Sequence, residues 1–127
     1  MKVIQKAVVM NGDKYLVLLR SARASFFPEH WDFPGGKLEK SENPFLGIER
    51  EIFEEIGLRI KATRVAGIYE MIIENTSLRF VVYETKPLET YNIILSPEHS
   101  AFRWATRDEL LTLRVEPHIL KYLEEHP

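Results

Sequence analysis

Residues 36–58 read Gly36-Lys37-Leu38-Glu39-Lys40-Ser41-Glu42-Asn43-Pro44-Phe45-Leu46-Gly47-Ile48-Glu49-Arg50-Glu51-Ile52-Phe53-Glu54-Glu55-Ile56-Gly57-Leu58. The middle of this stretch predicts a helix. Asn43 is a good N-cap, and Pro44 suits the first helical position, where its missing N–H is not needed. Gly57 after Ile56 is the expected C-terminal stop. At about 100° per residue, Phe45, Ile48, Ile52 and Ile56 form one apolar stripe that should face a core. Glu51, Glu54 and Glu55 fall within roughly one 100° arc beside that stripe. Their clustering has a cost. Like charges at i,i+4, here Glu51 and Glu55, oppose each other by about 0.2–0.5 kcal/mol. Glu54 and Glu55 also lie in the last turn, where the helix dipole disfavours anions. Arg50 offsets part of this by pairing with Glu54. A hard cation such as Mg2+ or Mn2+, which prefers oxygen ligands, would relieve the rest. On composition alone, a solvated acidic helix face is an equal alternative.

The spacing carries more than the helix. Gly36, Glu42, Arg50-Glu51-Ile52, Glu54-Glu55 and Gly57-Leu58 stand at the fixed positions of the pattern GX5EX7REUXEEXGU, with U a bulky aliphatic residue. The stretch therefore resembles the Nudix box, and Trp31-Asp32-Phe33-Pro34-Gly35 resembles the segment leading into that box in MutT-like members. The resemblance implies an α+β fold, a three-layer α/β/α sandwich with a mixed β-sheet. It also implies a Mg2+- or Mn2+-dependent hydrolase. Such an enzyme cleaves a phosphoanhydride bond in a nucleoside diphosphate linked to another moiety, by attack of water on phosphorus. Gly36, Glu51, Glu54 and Glu55 carry over as metal-site residues, and Glu54 or Glu55 as the group that helps activate water. Arg50 resembles the family arginine that orients a neighbouring glutamate; an ordinary surface ion pair would make nearly the same contact. Gly35 and Gly36 permit close approach of backbone to phosphate or metal. Glu42 either supports the site or favours the helix N-terminus. One departure is Gly47, where many relatives have alanine. Glycine there costs about 1 kcal/mol, and close packing against the glycine loop is the expected compensation.

Upstream, Val3 to Met10 and Lys14 to Leu19 read as strands joined by the turn Asn11-Gly12-Asp13. Arg20 to His30 is a loop, Trp31 to Phe33 is short and extended, and Pro34-Gly35-Gly36 is expected to turn. Arg20 and Arg23 lie near where MutT-like relatives place a phosphate-binding arginine; Arg20, nearer the strand, is preferred. Lys37 follows the glycines and either contacts phosphate or is solvated. Phe33, Phe80 and Tyr69 could offer a stacking face to a base, although strand aromatics more often belong to a core.

Downstream, Leu58 to Ile73 and Leu78 to Glu84 read as strands around a turn at Glu74 to Ser77. Ala101 to Ala105 reads as a strand, Arg107 to about Leu113 as a helix capped by Thr106, and Glu116 to Glu125 as a helix with Pro117 early. Glu98, in the loop before Phe102-Arg103-Trp104, is a candidate to complete the metal site or act as base; the plain alternative is a turn glutamate. His30, His99, His118 and His126 have no spaced partner that suggests a metal site. Substrate signals are sparse. Valine stands at position 115, before Glu116-Pro117, where MutT-like enzymes selective for oxidised guanine carry asparagine. The proline of ADP-ribose-preferring relatives is absent around Ile73 or Glu74, and the tyrosine of dinucleoside-polyphosphate relatives around Asn75 or Thr76.

Bulk properties fit this reading. A chain of 127 residues, 45% hydrophobic and 28% charged, suggests one globular domain, 1–127. The net charge of −2 gives no global attraction to polymeric nucleic acid or to an anionic membrane. A small nucleotide substrate is thus the expected partner, and a homodimer is compatible with it. No apolar run is long enough to span a bilayer, and Met1 to Lys6 is broken by charge too early for a signal segment. The absence of cysteine excludes disulfides, thiolate metal sites and cysteine nucleophiles, and fits a cytoplasmic location. Two other readings exist on the same fold. A non-catalytic nucleotide-sensing domain would usually have lost box carboxylates, and all are kept here. An isomerase would rely on a cysteine.

Overall fold

The N-terminal run of apolar residues forms two strands, not one. In the computed structural model, which describes residues 1–127, β1 (Lys2–Val8) and β2 (Met10–Asn11) are separated at Val9, where the chain passes from one sheet to another. The first sheet has the order β5-β1-β7-β6, with β5 at Gly35–Lys37, β6 at Ile60–Ile73 and β7 at Thr76–Pro87. It is mixed: β1 runs antiparallel to β5 but parallel to β7, and β6 and β7 make a long antiparallel hairpin. The second sheet is antiparallel and centred on β3 (Lys14–Arg20), which pairs with β2, with β4 (Trp31–Asp32) and with β8 (His99–Thr106).

Strand alternation sends side chains to both faces. Ala7, Val9, Leu16 and Leu18 meet Ile48, Ile52 and Ile56 of α1 (Pro44–Ile56) in one core. Val8 and Val17 meet Ile119, Tyr122 and Leu123 of α3 (Pro117–Glu125) in the other. The three-layer α/β/α arrangement follows directly from these two cores. Each fully buried isoleucine of α1 contributes about 1.5–3 kcal/mol of burial. Phe45, expected on that stripe, stands at its rim, edge-on to Tyr83. No helix is long and apolar enough to cross a membrane.

Two local expectations change. Pro34-Gly35-Gly36 does not simply turn, because Gly35 and Gly36 open strand β5 opposite Lys6 and Gln5. The second is the helix after Thr106, which is shorter than expected. Here α2 covers only Arg107–Leu110, with Thr106 and Glu109 forming a reciprocal capping box.

The ends of α1 are fixed by both local and distant groups. Asn43 Oδ1 accepts from the Phe45 and Leu46 amides at 3.0 and 3.1 Å. Gly57 adopts φ 70° and donates to the Phe53 carbonyl. The segment between β7 and β8 then supplies two more donors, Ile94 N–H to the Ile56 carbonyl (2.9 Å) and Ser96 N–H to the Glu55 carbonyl (2.8 Å). Carbonyls that a helix end leaves orphaned are thereby satisfied.

Candidate active site

Strand β5 and helix α1 meet without side chains between them. A Cβ at Gly36 would overlap the Glu51 carboxylate, and one at Gly35 would overlap the Gln5 carbonyl. Gly35 also has φ 153°, which side-chain-bearing residues rarely adopt. The gap lets the Gly35 N–H donate to Glu55 Oε1 at 2.9 Å. Glu55 is 7% exposed. Burial pushes its carboxyl up to about 8, against the lowering effects of Lys6 and the Gly35 amide. Glu51 is raised as well, again chiefly by burial and against Arg50. Glu54 is more open, its side chain 59% exposed.

Arg50 ties the acids together. Its Nε and Nη2 fork onto the Glu42 carboxylate at 2.6 and 2.9 Å, while Nη2 reaches Glu51 (3.1 Å) and Nη1 reaches Glu54 (3.0 Å). The fork lowers the Glu42 carboxyl and raises the guanidinium. Arg50 thus engages Glu42 more fully than the i,i+4 partner Glu54. Glu42 also explains Gly47. A Cβ there would lie 2.9 Å from the Glu42 Cδ and 3.1 Å from Gln5 Oε1. The glycine clears space for the Glu42 carboxylate, and not for the glycine loop as expected.

A cavity of about 240 Å³ opens beside Glu55, lined by Lys6, Arg20, Gly36, Lys37, Glu98 and His99 among others. Arg23 lies off it, in an adjoining recess of similar size that it shares with Arg20, Glu98 and His99. Arg20 is not a free cation. Its Nε donates to the Phe26 carbonyl at 3.0 Å, and Nη1 stands 3.5 Å from Asp32 Oδ2. His99, for which no metal partner was expected, has a side chain only 5% exposed, with Nδ1 4.0 Å from Glu55 Oε2. Phe33 requires a correction. It is 0% exposed, within the α3-side core against Tyr15, Tyr122 and His118, and presents no face to a ligand. Phe80 and Tyr69 are likewise core residues.

Behind the cavity lies a network that the sequence reading missed. Lys6 Nζ is 2.7 Å from Asp32 Oδ2, both groups being buried. His118 Nε2 is 3.4 Å from Asp32 Oδ1 and its Nδ1 is 3.8 Å from Glu116 Oε1. Burial would raise the Asp32 carboxyl, but Lys6 and His118 hold it down to about 2. Burial and the nearby Asp32 charge push Glu116 up to about 9, and burial pushes His118 down to about 3. The network is thus a Lys6–Asp32 ion pair flanked by a neutral acid and a neutral imidazole. A faint signal existed: Lys6, Asp32 and Glu116 each interrupt an apolar neighbourhood in the chain.

Two sets of side chains carry metal-ligating atoms, and only the first is drawn together in this structure. Asp32, Glu116 and His118 present ligand atoms within 4.8 Å of one another. There, however, Lys6 and Arg20 already supply the positive charge. Glu51, Glu54 and Glu55 are different. Arg50 is their one paired cation, the donors are all oxygen, and the missing Cβ of Gly36 leaves backbone open against Glu51. That set fits a hard divalent ion.

A sequence model of the NUDIX domain matches residues 3–125. A MutT-like protein of Streptomyces ambofaciens is 32% identical over 119 residues, covering 92% of this chain and 71% of the relative. An 8-oxo-dGTP diphosphatase of Buchnera aphidicola is 25% identical over 103 residues, covering 81% of this chain and 75% of the relative. The crystal structure of a MutT protein from Methanosarcina mazei superposes with a TM-score of 0.88 at 23% identity, over 97% of this chain and 90% of that one. This last likeness is one of fold.

Proposed function

The chain belongs to the NUDIX domain family and is a Nudix-type hydrolase, and from that premise we propose that it hydrolyses a phosphoanhydride in a nucleoside diphosphate linked to another moiety, with Mg2+ or Mn2+ held by Glu51, Glu54 and Glu55 beside Gly36. The observation that carries this reading is the closure of α1 on β5, where only glycine leaves room for the carboxylates.

A bound divalent ion supplies charge stabilisation at phosphorus and lowers the pKa of water. The chain's own residues do the rest. The Gly35 amide fixes one oxygen of Glu55, leaving the other turned toward His99. With a divalent ion beside it to offset the burial that favours its protonated form, Glu55 would be a positioned acceptor for the proton that attacking water must lose. Arg50 holds Glu51 and Glu54 in one orientation through its guanidinium plane. Arg20 and Lys37, lining the cavity, bind phosphate oxygens, and Glu98 stands in the same wall as a further carboxylate. The products are a nucleoside monophosphate or another phosphate ester, plus the leaving phosphate group.

A screen that separates nucleoside monophosphate and other phosphate-ester products from substrate by chromatography tests this. The panel is nucleoside triphosphates, ADP-ribose, sugar nucleotides and dinucleoside polyphosphates, with Mg2+ or Mn2+ and with excess EDTA. Metal-dependent turnover of at least one class is expected. No turnover of any, or full activity in EDTA, overturns the reading.

A further inference from the structure

The two oxygens of Glu55 have different surroundings. The Gly35 amide donates to Oε1 at 2.9 Å, while Oε2 faces the ring of His99. That ring is almost wholly enclosed, and its Nδ1 is buried without a hydrogen-bond partner. Nδ1 stands 4.0 Å from Glu55 Oε2, and no other carboxylate comes within that distance of His99. The gap is about 1 Å longer than a hydrogen bond from a ring N–H to a carboxylate. A buried ring nitrogen without a partner is costly, so a small rotation of either side chain that closes the gap is favoured. An apolar side chain would fill the same space with no polar atom to satisfy.

The chain around His99 is built onto the same glutamate. Ser96 N–H donates to the Glu55 carbonyl at 2.8 Å, and His99 N–H donates to the Ser96 carbonyl at 3.3 Å. His99 then opens β8, opposite Arg20 of β3. The end of α1 and the second sheet thus fix the ring from two directions. His99 also contributes to the cavity beside Glu55, so a contact with substrate is the competing use of the imidazole. The burial of Nδ1 and its approach to Oε2 favour the glutamate.

We infer that His99 is a positioning residue whose Nδ1–H donates to Glu55 Oε2, so that the imidazole and the Gly35 amide hold the carboxylate by its two oxygens. Nδ1 carries hydrogen in one neutral tautomer as well as in the charged ring, so the contact needs no charge on His99. Each carboxylate oxygen keeps a further lone pair, and Glu55 stays able to take a metal ion or a proton. The inference rests on the hydrolase reading and adds a residue to its machinery.

The test compares the full chain with two variants. His99→Phe keeps a ring of similar size without nitrogen, and His99→Asn offers an amide N–H close to where Nδ1 stands. The first readout is calorimetric Mn2+ binding in the absence of substrate. His99→Phe should weaken it about tenfold, the usual scale for losing a group that orients a metal ligand, and His99→Asn should stay within about threefold of the parent. The second readout is steady-state hydrolysis, read as nucleoside monophosphate formed. In His99→Phe, kcat should fall about tenfold or more with KM little changed, and His99→Asn should restore most of it. Parental Mn2+ binding in His99→Phe, no Mn2+ binding to the parent, equal losses in both variants, or a rise in KM alone overturns the inference. If Tm in EDTA shows that His99→Phe does not fold, nitrogen NMR of the Mg2+-loaded parent decides, with the His99 signals assigned by their loss in His99→Asn. Hydrogen on Nδ1 is expected there, and a bare Nδ1 overturns the inference. Mn2+ binding that depends on His99 in a protein that hydrolyses nothing would sink the hydrolase reading and leave the contact standing. Metal-dependent turnover that His99→Phe does not slow would do the reverse.

Discussion

Glu55 is buried, hydrogen-bonded to the Gly35 amide, and pushed up to about 8 chiefly by burial. Replacing it by glutamine keeps an acceptor oxygen for that amide but removes both the proton acceptor and a metal ligand. Glu55→Gln should lower kcat by about 10²–10³, since losing one such electrostatic contact costs about 3–4 kcal/mol. Glu54→Gln should fall comparably. Near-parental kcat in both, read as nucleoside monophosphate formed, would defeat the catalytic assignment. Glu116 tests the hidden network through stability. Its folded pKa, about 9, lies above the ordinary carboxylate value. The folded state thus keeps a proton that the unfolded chain releases, so stability falls as pH rises from about 5 toward 9. His118 and Asp32, both lowered, act in the opposite sense and cost stability as pH falls through about 6.5 and then about 4. Denaturant unfolding across this range should show the alkaline decline in the parent. Glu116→Gln, which stays neutral, should flatten its share of it, and an unchanged slope would mean that Glu116 is ionised at neutral pH. The helix glutamates were legible in the sequence because a helical period places them on one arc. The network was not, because Lys6, Asp32, Glu116 and His118 come from separate segments that meet only when both sheets form.

Among elements, α1 and β5 depend on each other through glycine. Gly36→Ala pushes a methyl into the movable Glu51 carboxylate, so activity should fall at least tenfold while the fold survives. Gly35→Ala meets the Gln5 backbone and a disfavoured φ, so it should cost about 3 kcal/mol or more of stability. Tm and kcat measured on both variants separate the two effects; equal stability losses would show that the carboxylate cannot move aside. Gly47→Ala gives a third contrast. Helix propensity alone predicts a gain of about 1 kcal/mol. The crowding of Glu42 should cancel that gain and disturb the Arg50 fork, lowering kcat without raising Tm. A Tm increase with parental activity would show that the contact is easily relieved. The sequence marked the caps of α1 because Asn43, Pro44 and Gly57 act within one turn. It did not reveal that Gly35 and Gly36 open a strand, since pairing depends on Gln5 and Lys6 of β1. Nor did it place the sheet change at Val9, where the apolar run is unbroken.

For the whole molecule, metal binding and folding should be linked, because the three carboxylates are assembled only in the native state. Mg2+ at about 100 times its Kd should add about 2.7 kcal/mol of stability. The metal-induced rise in Tm should be present in the parent and largely absent in Glu55→Gln; equal rises would place the stabilising ion elsewhere. The three-layer plan could be anticipated because interspersed strands and helices leave few alternatives. The split into two sheets could not, because it rests on long-range register. One part of that register, the parallel pairing of β1 with β7, also governs how the chain matures. Lys2 to Val8 align with Leu78 to Glu84, so β1 leaves the ribosome long before its partner is made. A parallel pair with so distant a partner must close a long loop before it gains any contact, which makes it slow to form. Until then β1 has one open edge, and the glycine strand beside it has no sheet to lean on. A nascent chain halted after Ile73 would therefore hold every residue of the acidic helix and yet lack a stable site.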